Sequence, residues 1–207
     1  MPTVTLNKQE LEKVIGKKLS LDKLKDRISM LGTDLEKIEN NEIHVEIFPN
    51  RPDLMTEHGL GKALSSFIGF KTGLREYKVT KSGLKILVKD TEKNWPYVVA
   101  CIVKGLKLDT NRVKEIIQLQ EKIGTTLTRN RKKGGIGVYP LEKIKFPVTF
   151  TSLKPTDIKF VPLGLNKELI APEILEQHPK GKTYSHILKT WTKYPLFIDS
   201  NKNIMSM

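Results

Sequence analysis

The stretch QLQEKIGTTLTRNRKKGGIGVY, Gln118 to Tyr139, decides how the chain is read, because a helical pattern ends in it and an extended one begins. On its N-terminal side Val113, Ile116, Ile117, Gln120, Ile123 and Leu127 fall at i, i+3, i+4, i+7, i+10 and i+14, which is one stripe of a helix. The spacing predicts a helix whose buried stripe contains one amide, Gln120. Four cations, Arg129, Arg131, Lys132 and Lys133, then crowd into five residues, and Gly134, Gly135 and Gly137 lead into an expected strand at Ile136 to Tyr139. Such cations repel one another unless solvated or paired with anions, although the dipole of a helix C-terminus also favours them there. A phosphate is the anion that suits the arrangement. Gly-Gly-Ile-Gly lacks the strand-before, helix-after setting of nucleotide loops and reads as a strand entry or bulge. Gln120 either sits in solvent at the edge of the stripe or serves a pocket as donor and acceptor.

Charge outside this stretch is unevenly placed. The net charge is +13, yet residues 1–70 hold 10 Lys+Arg against 11 Asp+Glu, and residues 71–207 hold 26 against 12. The asymmetry points to a basic module for a polyanion joined to a near-neutral module with another task. A lysine-rich surface of the kind seen in thermophiles is the other reading. A length of 207 residues suits two domains and a core that needs no disulfide or metal. The single Cys101 lies in the apolar run Val98 to Val103 and is expected as a buried, reduced thiol, which excludes a cysteine–metal site. No apolar run approaches the roughly 20 residues that span a bilayer, and the N-terminus lacks a secretory signal, so no membrane is expected and the cytoplasm is the expected location.

The first 75 residues read as a small helical head. Asn7 is placed to cap a helix, with Glu10 reaching back and Leu6 stapled on Leu11; Leu11, Val14 and Ile15 face inward and Gly16 stops it. Ser20 caps a second helix with Leu21, Leu24, Ile28 and Leu31 inward and Gly32 after it. From Leu35 to Phe48 a hairpin is expected, turning at Asn40-Asn41, with Ile43, Val45 and Ile47 on one face. In PNRPDL, Pro49 to Leu54, two prolines fix the backbone around Asn50 and Arg51, and Asp53 is read as the cap of a third helix that buries Leu60, Ala63, Leu64, Phe67 and Ile68. Three helices and a hairpin make a winged-helix-like module. Its neutral charge favours docking on protein over reading DNA. His44 and His58 match no metal spacing, and no metal site is expected.

Residues 76–207 read as a second, layered module, so the fold class is α+β. Strands are expected at Leu84 to Val88, Tyr97 to Val103 and Val148 to Thr151, with Asn94-Trp95-Pro96 breaking between the first two. Helices are expected from Pro172 to Gln177 and from Tyr184 to Trp191, and a hairpin from Leu196 to Met207 turning at Ser200 to Asn203. Ending on an apolar strand suggests a domain truncated at its C-terminus. His178 and His186 are possible general bases but read more readily as packing or surface residues. No Ser-His-Asp order, Cys nucleophile or paired-carboxylate signature stands out, leaving a polyanion-binding module with no declared catalytic group.

Four blocks together carry a family resemblance: FPNRPDLMTEHGLGKALSSFIG at Phe48 to Gly69, IQLQEKIGTTLTRNRKKGGIGVYPLEKIK at Ile117 to Lys145, IKFVPLG at Ile158 to Gly164, and YPLFIDSNKNIMSM at Tyr194 to Met207. In this order, over essentially all of the chain, they resemble the beta subunit of phenylalanyl-tRNA synthetase of the archaeal and eukaryotic-cytosolic type. The resemblance implies that residues 1–75 are its small N-terminal domain. Residues 76–207 would be the incomplete start of the editing module that hydrolyses tyrosine wrongly attached to tRNA(Phe). It implies tRNA contact by Arg129, Arg131, Lys132 and Lys133, and an editing pocket with Gln120, Glu121 and Asn130 as candidates. The implied partners are tRNA(Phe) and the alpha subunit. No cofactor is implied for this stretch, while ATP and Mg2+ are expected for the whole synthetase, and the chain alone is not expected to aminoacylate. A noncatalytic RNA-binding or subunit-docking module is the alternative function.

Overall fold

A computed structural model describes residues 2–93 and 95–207. They gather into two compact units, Met1–Lys78 with Leu106–Ile136, and Val79–Gly105 with Gly137–Met207. The boundary expected near residue 75 is thus one of three crossings, and the segment 106–136 joins the first unit. That redistributes the charge. The first unit holds 21 basic and 15 acidic residues and the second 15 and 8, so both units are cationic.

The first unit opens on a strand that its short, polar sequence does not announce, β1 (Thr3–Asn7). Helices α1 (Lys8–Ile15) and α2 (Leu21–Met30) follow, then β2 (Asp34–Glu39), β3 (Glu42–Glu46) and α3 (Glu57–Phe67). The strands form an antiparallel sheet in the order β1-β3-β2, with Asn40 in the left-handed conformation at the hairpin turn. Ile43, Val45 and Ile47 point from it into a core with Val4, Leu6, Leu11, Ile15, Leu24, Ile28, Leu54, Met55, Leu60 and Leu64. The alternation in the hairpin and the 3.6-residue period in the helices therefore deliver one common apolar face.

The caps follow the expected chemistry with two changes. Asn7 Oδ1 accepts from the Glu10 N–H at 3.0 Å, but the Asn7 N–H is taken by Glu57 Oε1 at 2.7 Å, not by Glu10. Ser20 caps α2, whereas α3 is capped by Thr56, which accepts from the Gly59 N–H. Asp53 instead binds Arg51 through two hydrogen bonds in the turn Pro52–Leu54, because Pro52 commits those residues to a separate 3-10 turn before α3 begins. Phe67 is exposed rather than buried, since α3 faces the core with Leu60, Gly61 and Leu64. Asn7 also accepts from Asn41 Nδ2 at 3.0 Å, joining the hairpin turn to α1. Asn7→Ala is therefore expected to cost about 1–2 kcal/mol, read as a lower urea midpoint with an unchanged slope.

The second unit carries a four-stranded sheet in the order β4-β5-β8-β9: β4 (Ile86–Val88), β5 (Val148–Leu153), β8 (Tyr194–Ile198) and β9 (Ile204–Ser206). The β4–β5 pair is parallel and the others antiparallel. A small ladder of β6 (Lys159–Phe160) and β7 (Leu169–Ile170) leads into α5 (Ala171–Gln177) and α6 (Pro179–Leu188). Ile158, Ala171, Tyr194 and Leu196 form its core. The hairpin β8–β9 turns on Asp199, whose Oδ1 accepts from the N–H groups of Asn201 and Asn203.

Two expected strands do not form. Residues 97–103 and 136–139 lie outside any sheet, and Cys101, expected buried, is exposed together with Tyr97 and Val99. β propensity alone does not make a strand: it needs a neighbouring backbone to complete its ladder, and β4 is paired with β5 instead. Of the expected break Asn94-Trp95-Pro96, Asn94 lies outside the described residues, while Trp95 packs edge-on against Trp191.

Candidate nucleic-acid interface

The 16-residue helix α4 (Thr110–Thr125) is the longest in the chain and carries the cations at its end. Asp109 caps it, accepting from the Arg112 N–H at 2.9 Å. Its apolar stripe is only partly covered, with Ile116 and Ile123 half-buried. Val113, Ile117 and Leu127 are 42%, 53% and 59% exposed, and the face turned to β1 and α3 carries Arg112, Glu115, Gln118 and Leu119. The Gln118 amide accepts from the Thr5 N–H and donates to the Thr5 carbonyl, both at 3.1 Å, acting toward the edge of β1 as a neighbouring strand would. Glu115 Oε1 accepts from the His58 N–H at 3.2 Å and so supplies an acceptor to the open N-terminus of α3. Leu119 adds to the apolar core. Polar complementarity overrides the apolar stripe because an edge strand and a helix N-terminus both present donors that need partners.

Beyond α4 the chain folds back on the helix end. Arg129, Asn130 and Arg131 are all left-handed, with φ of 53°, 53° and 62°. Their N–H groups donate to the carbonyls of Thr126, Thr125 and Gly124 at 3.0, 3.2 and 2.8 Å. Thr128 Oγ1 adds a bond to the Gly124 carbonyl at 2.9 Å. The last carbonyls of the helix are thereby satisfied by a closed turn rather than by water. Three non-glycine residues in that region cost roughly 1–2 kcal/mol each, and the backbone bonds just described hold them there.

The turn divides the four cations. Arg131 lies back along the helix, its guanidinium 3.0 Å from Glu121 and its stem over Gly124, where an added Cβ would meet it at 3.4–3.5 Å. Arg129, Lys132 and Lys133 are exposed, in the negative field of the helix C-terminus that favours cations. The three pocket candidates are distributed differently from a shared pocket. Gln120 donates to the Ile136 carbonyl at 3.0 Å and ties down the chain leaving the turn. Glu121 is engaged by Arg131, and Asn130 is exposed on the turn. Beside them an open groove of about 540 Å³ is lined by Pro2, Thr3, Pro49, Lys122, Thr125 and Thr126.

The histidines have local partners. His178 accepts from the Lys180 N–H and meets the Leu163 carbonyl at 3.0 Å, His186 meets the Thr183 carbonyl, and His44 contacts Thr5 and Glu42. The residues that the sequence reading missed are Arg112, Glu115 and Gln118, which position α4. Their signal was a polar i, i+3, i+6 row opposite the apolar stripe, easily taken for solvated surface. No helix among the described residues is long and apolar enough to cross a membrane.

Comparison with known proteins places this geometry. Residues 1–70 match the family model of the Phe-tRNA synthetase beta subunit B1 domain. All 207 residues align at 39% identity with a phenylalanine–tRNA ligase beta subunit from Archaeoglobus fulgidus, covering 37% of that protein. A beta subunit from Pyrococcus abyssi is 37% identical over 213 aligned positions, again with all of this chain and 38% of that one. The crystal structure of an N-terminal fragment of the phenylalanyl-tRNA synthetase beta subunit from Pyrococcus horikoshii superposes on the whole chain with a TM-score of 0.90 at 36% identity, and 61% of that fragment is covered. The chain thus spans little more than a third of the length of these curated relatives, and it belongs to the phenylalanyl-tRNA synthetase beta-subunit family as its N-terminal portion.

Proposed function

We propose that this chain contacts tRNA through Arg129, Lys132 and Lys133 and contributes, from residues 76–207, to an editing module that hydrolyses tyrosyl-tRNA(Phe). The observation that carries the RNA contact is the turn itself. The Asn130 and Arg131 donors are spent on carbonyls of α4 and those of Arg129, Lys132 and Lys133 on the residues that follow it, leaving three cations exposed on a closed turn. Phosphates are suited to such a display because they are strong acceptors spaced along a flexible strand, and base identity need not be read.

Editing is the physical counterpart of a limit on selection. A phenylalanine-shaped apolar pocket rejects an added hydroxyl by only about a hundredfold, whereas a site built to bond that hydroxyl discriminates by roughly 10⁴ or more. Hydrolysis of an ester needs a placed water and an oxyanion donor rather than a strong nucleophile, consistent with a module that declares no triad. In this reading Asn130 is the exposed amide the chain offers, Gln120 acts indirectly by holding the Ile136 carbonyl at 3.0 Å, and Arg131 with Glu121 stiffens the helix end. The alpha subunit is the partner, the cytoplasm the location, and ATP and Mg2+ serve the whole ligase, with no residue of this chain given a role in binding them.

The test is tyrosyl-tRNA(Phe) deacylation by the intact alpha–beta enzyme containing this sequence. Asn130→Ala and Gln120→Ala are expected to slow hydrolysis by about tenfold or more while phenylalanine attachment is unchanged. Hydrolysis at the unaltered rate in both variants would remove these residues from editing. The exposed Val113, Ile117 and Leu127 favour a second reading, docking on a partner protein. Capture of the alpha subunit without RNA, abolished on replacing these three by serine, would support it.

A further inference from the structure

We propose that Glu57 and Glu115 share one proton, and that this proton latches α4 onto α3. Glu57 sits in the first turn of α3 and is only 8% exposed. One of its oxygens accepts from the Asn7 N–H at 2.7 Å; the other, Oε2, is the one buried side-chain N or O atom among the described residues with no hydrogen-bond partner. A buried carboxylate oxygen without a donor is costly, whereas a carboxylic acid O–H at that oxygen becomes a donor itself. Its acceptor is at hand. Glu115 of α4 already binds the N–H of the adjacent His58, so its carboxylate stands at the same turn of α3.

The charges around the pair decide where the proton resides. From α4, Arg112 serves Glu115 at 3.0 Å and also faces Glu10 of α1 at 3.5 Å. Its guanidinium also stands 2.6 Å from His58 Nδ1, which is itself 3.4 Å from Glu115 Oε1. One cation therefore serves two other carboxylates, and Glu57 has none of it. Burial, with the Glu115 charge adding, pushes the Glu57 carboxyl up. Burial also pushes Glu115 up, but the His58 N–H and the Arg112 guanidinium outweigh it and hold that carboxyl below the usual range. Two carboxyls whose surroundings drive them apart are an acid and its acceptor.

The direction of the pH response follows. A carboxyl raised in the folded state binds its proton more tightly there than in the undocked state. The latch is complete below the ordinary glutamate value, about 4.3, and weakens as pH rises from there to the folded value. Above that, two carboxylates confront each other across the α3–α4 contact. Because α4 carries the turn at 129–133, Glu57 is a positioning residue for that turn, whatever the turn binds.

The experiment is carried out on the 207-residue chain. Carboxyl carbon NMR of labelled glutamate should show one glutamate titrating above the ordinary range. Amide exchange in α4, corrected for the intrinsic effect of pH, should show opening that rises with pH across that window by up to about tenfold per unit. Glu57→Gln should remove this response, because the amide Nε2–H donates to Glu115 at every pH while its oxygen accepts from Asn7. Glu57→Ala should open α4 at all pH values. The proposal fails if every glutamate titrates in the ordinary range, or if Glu57→Gln opens with pH as the unaltered chain does. The NMR titration needs no variant and decides the matter even if both substitutions unfold.

Discussion

Gly59→Ala is expected to destabilise the first unit by about 3 kcal/mol or more, the upper end of what overpacking costs. An ideal Cβ at Gly59 overlaps the Asp53 carbonyl oxygen and falls 2.8 Å from its carbon, so backbone must move, not a side chain. Retreat is blocked. The turn Pro52–Leu54 is set by proline and anchored by the fully buried Leu54 and Met55, while Leu60 holds α3 from the other side. Gly59 also donates to Thr56 at 3.0 Å, so moving α3 away breaks its cap. Gly69 gives the contrast: nothing lies within 4 Å of its Cβ, but its φ is +70°. Gly69→Ala should cost only about 1–2 kcal/mol, for left-handed strain alone. Urea midpoints of the two variants measure the difference, and equal losses would refute the steric explanation.

Replacing Arg129, Lys132 and Lys133 together by alanine is expected to weaken tRNA binding about a hundredfold at 0.1 M salt. Removing one cation from a phosphate reduces the slope of log K against log salt by roughly 0.7–0.9, so removing three reduces it by about 2.1–2.7, which is a hundredfold or more at 0.1 M when the two binding lines converge near 1 M. The fold should survive, because these side chains are exposed and the turn is held by backbone bonds to Gly124, Thr125 and Thr126. Arg131→Ala is predicted to behave otherwise. It removes the pair with Glu121 and uncovers Gly124, so the end of α4 frays while the salt slope changes little. Titrations of tRNA at several salt concentrations separate the two cases.

Local chemistry was legible in the sequence where a side chain serves its own neighbourhood. Asn7, Ser20, Gly16 and Gly32 mark helix ends because the groups they satisfy or release lie within four residues. The hairpin β2–β3 and its inward Ile43, Val45 and Ile47 were legible through strict alternation. What was not legible is long-range. β1 exists because β3 pairs with it, and its outer edge is completed by Gln118, 113 residues away. Asp53 was read as the cap of α3, but the 3-10 turn claims it and Thr56 caps the helix instead. The face that α4 buries was misread for the same reason. Period alone ranks Val113, Ile117 and Leu127 as core, and only the donors of β1 and α3 make the polar row the docking face. Among the site residues, the cation cluster was visible, but which of its members is spent internally depended on three left-handed residues that no propensity scale predicts.

That the turn closing α4 meets RNA phosphates can be read directly by lysine footprinting. The protein would be acetylated with and without tRNA(Phe) and the reactivity of each lysine read by mass spectrometry. Lys132 and Lys133 should be protected several-fold by tRNA at low salt, with protection fading as salt rises, while the exposed Lys37 on β2 reacts equally in both. Equal modification of Lys132 and Lys133 with and without bound tRNA would contradict a phosphate-binding turn.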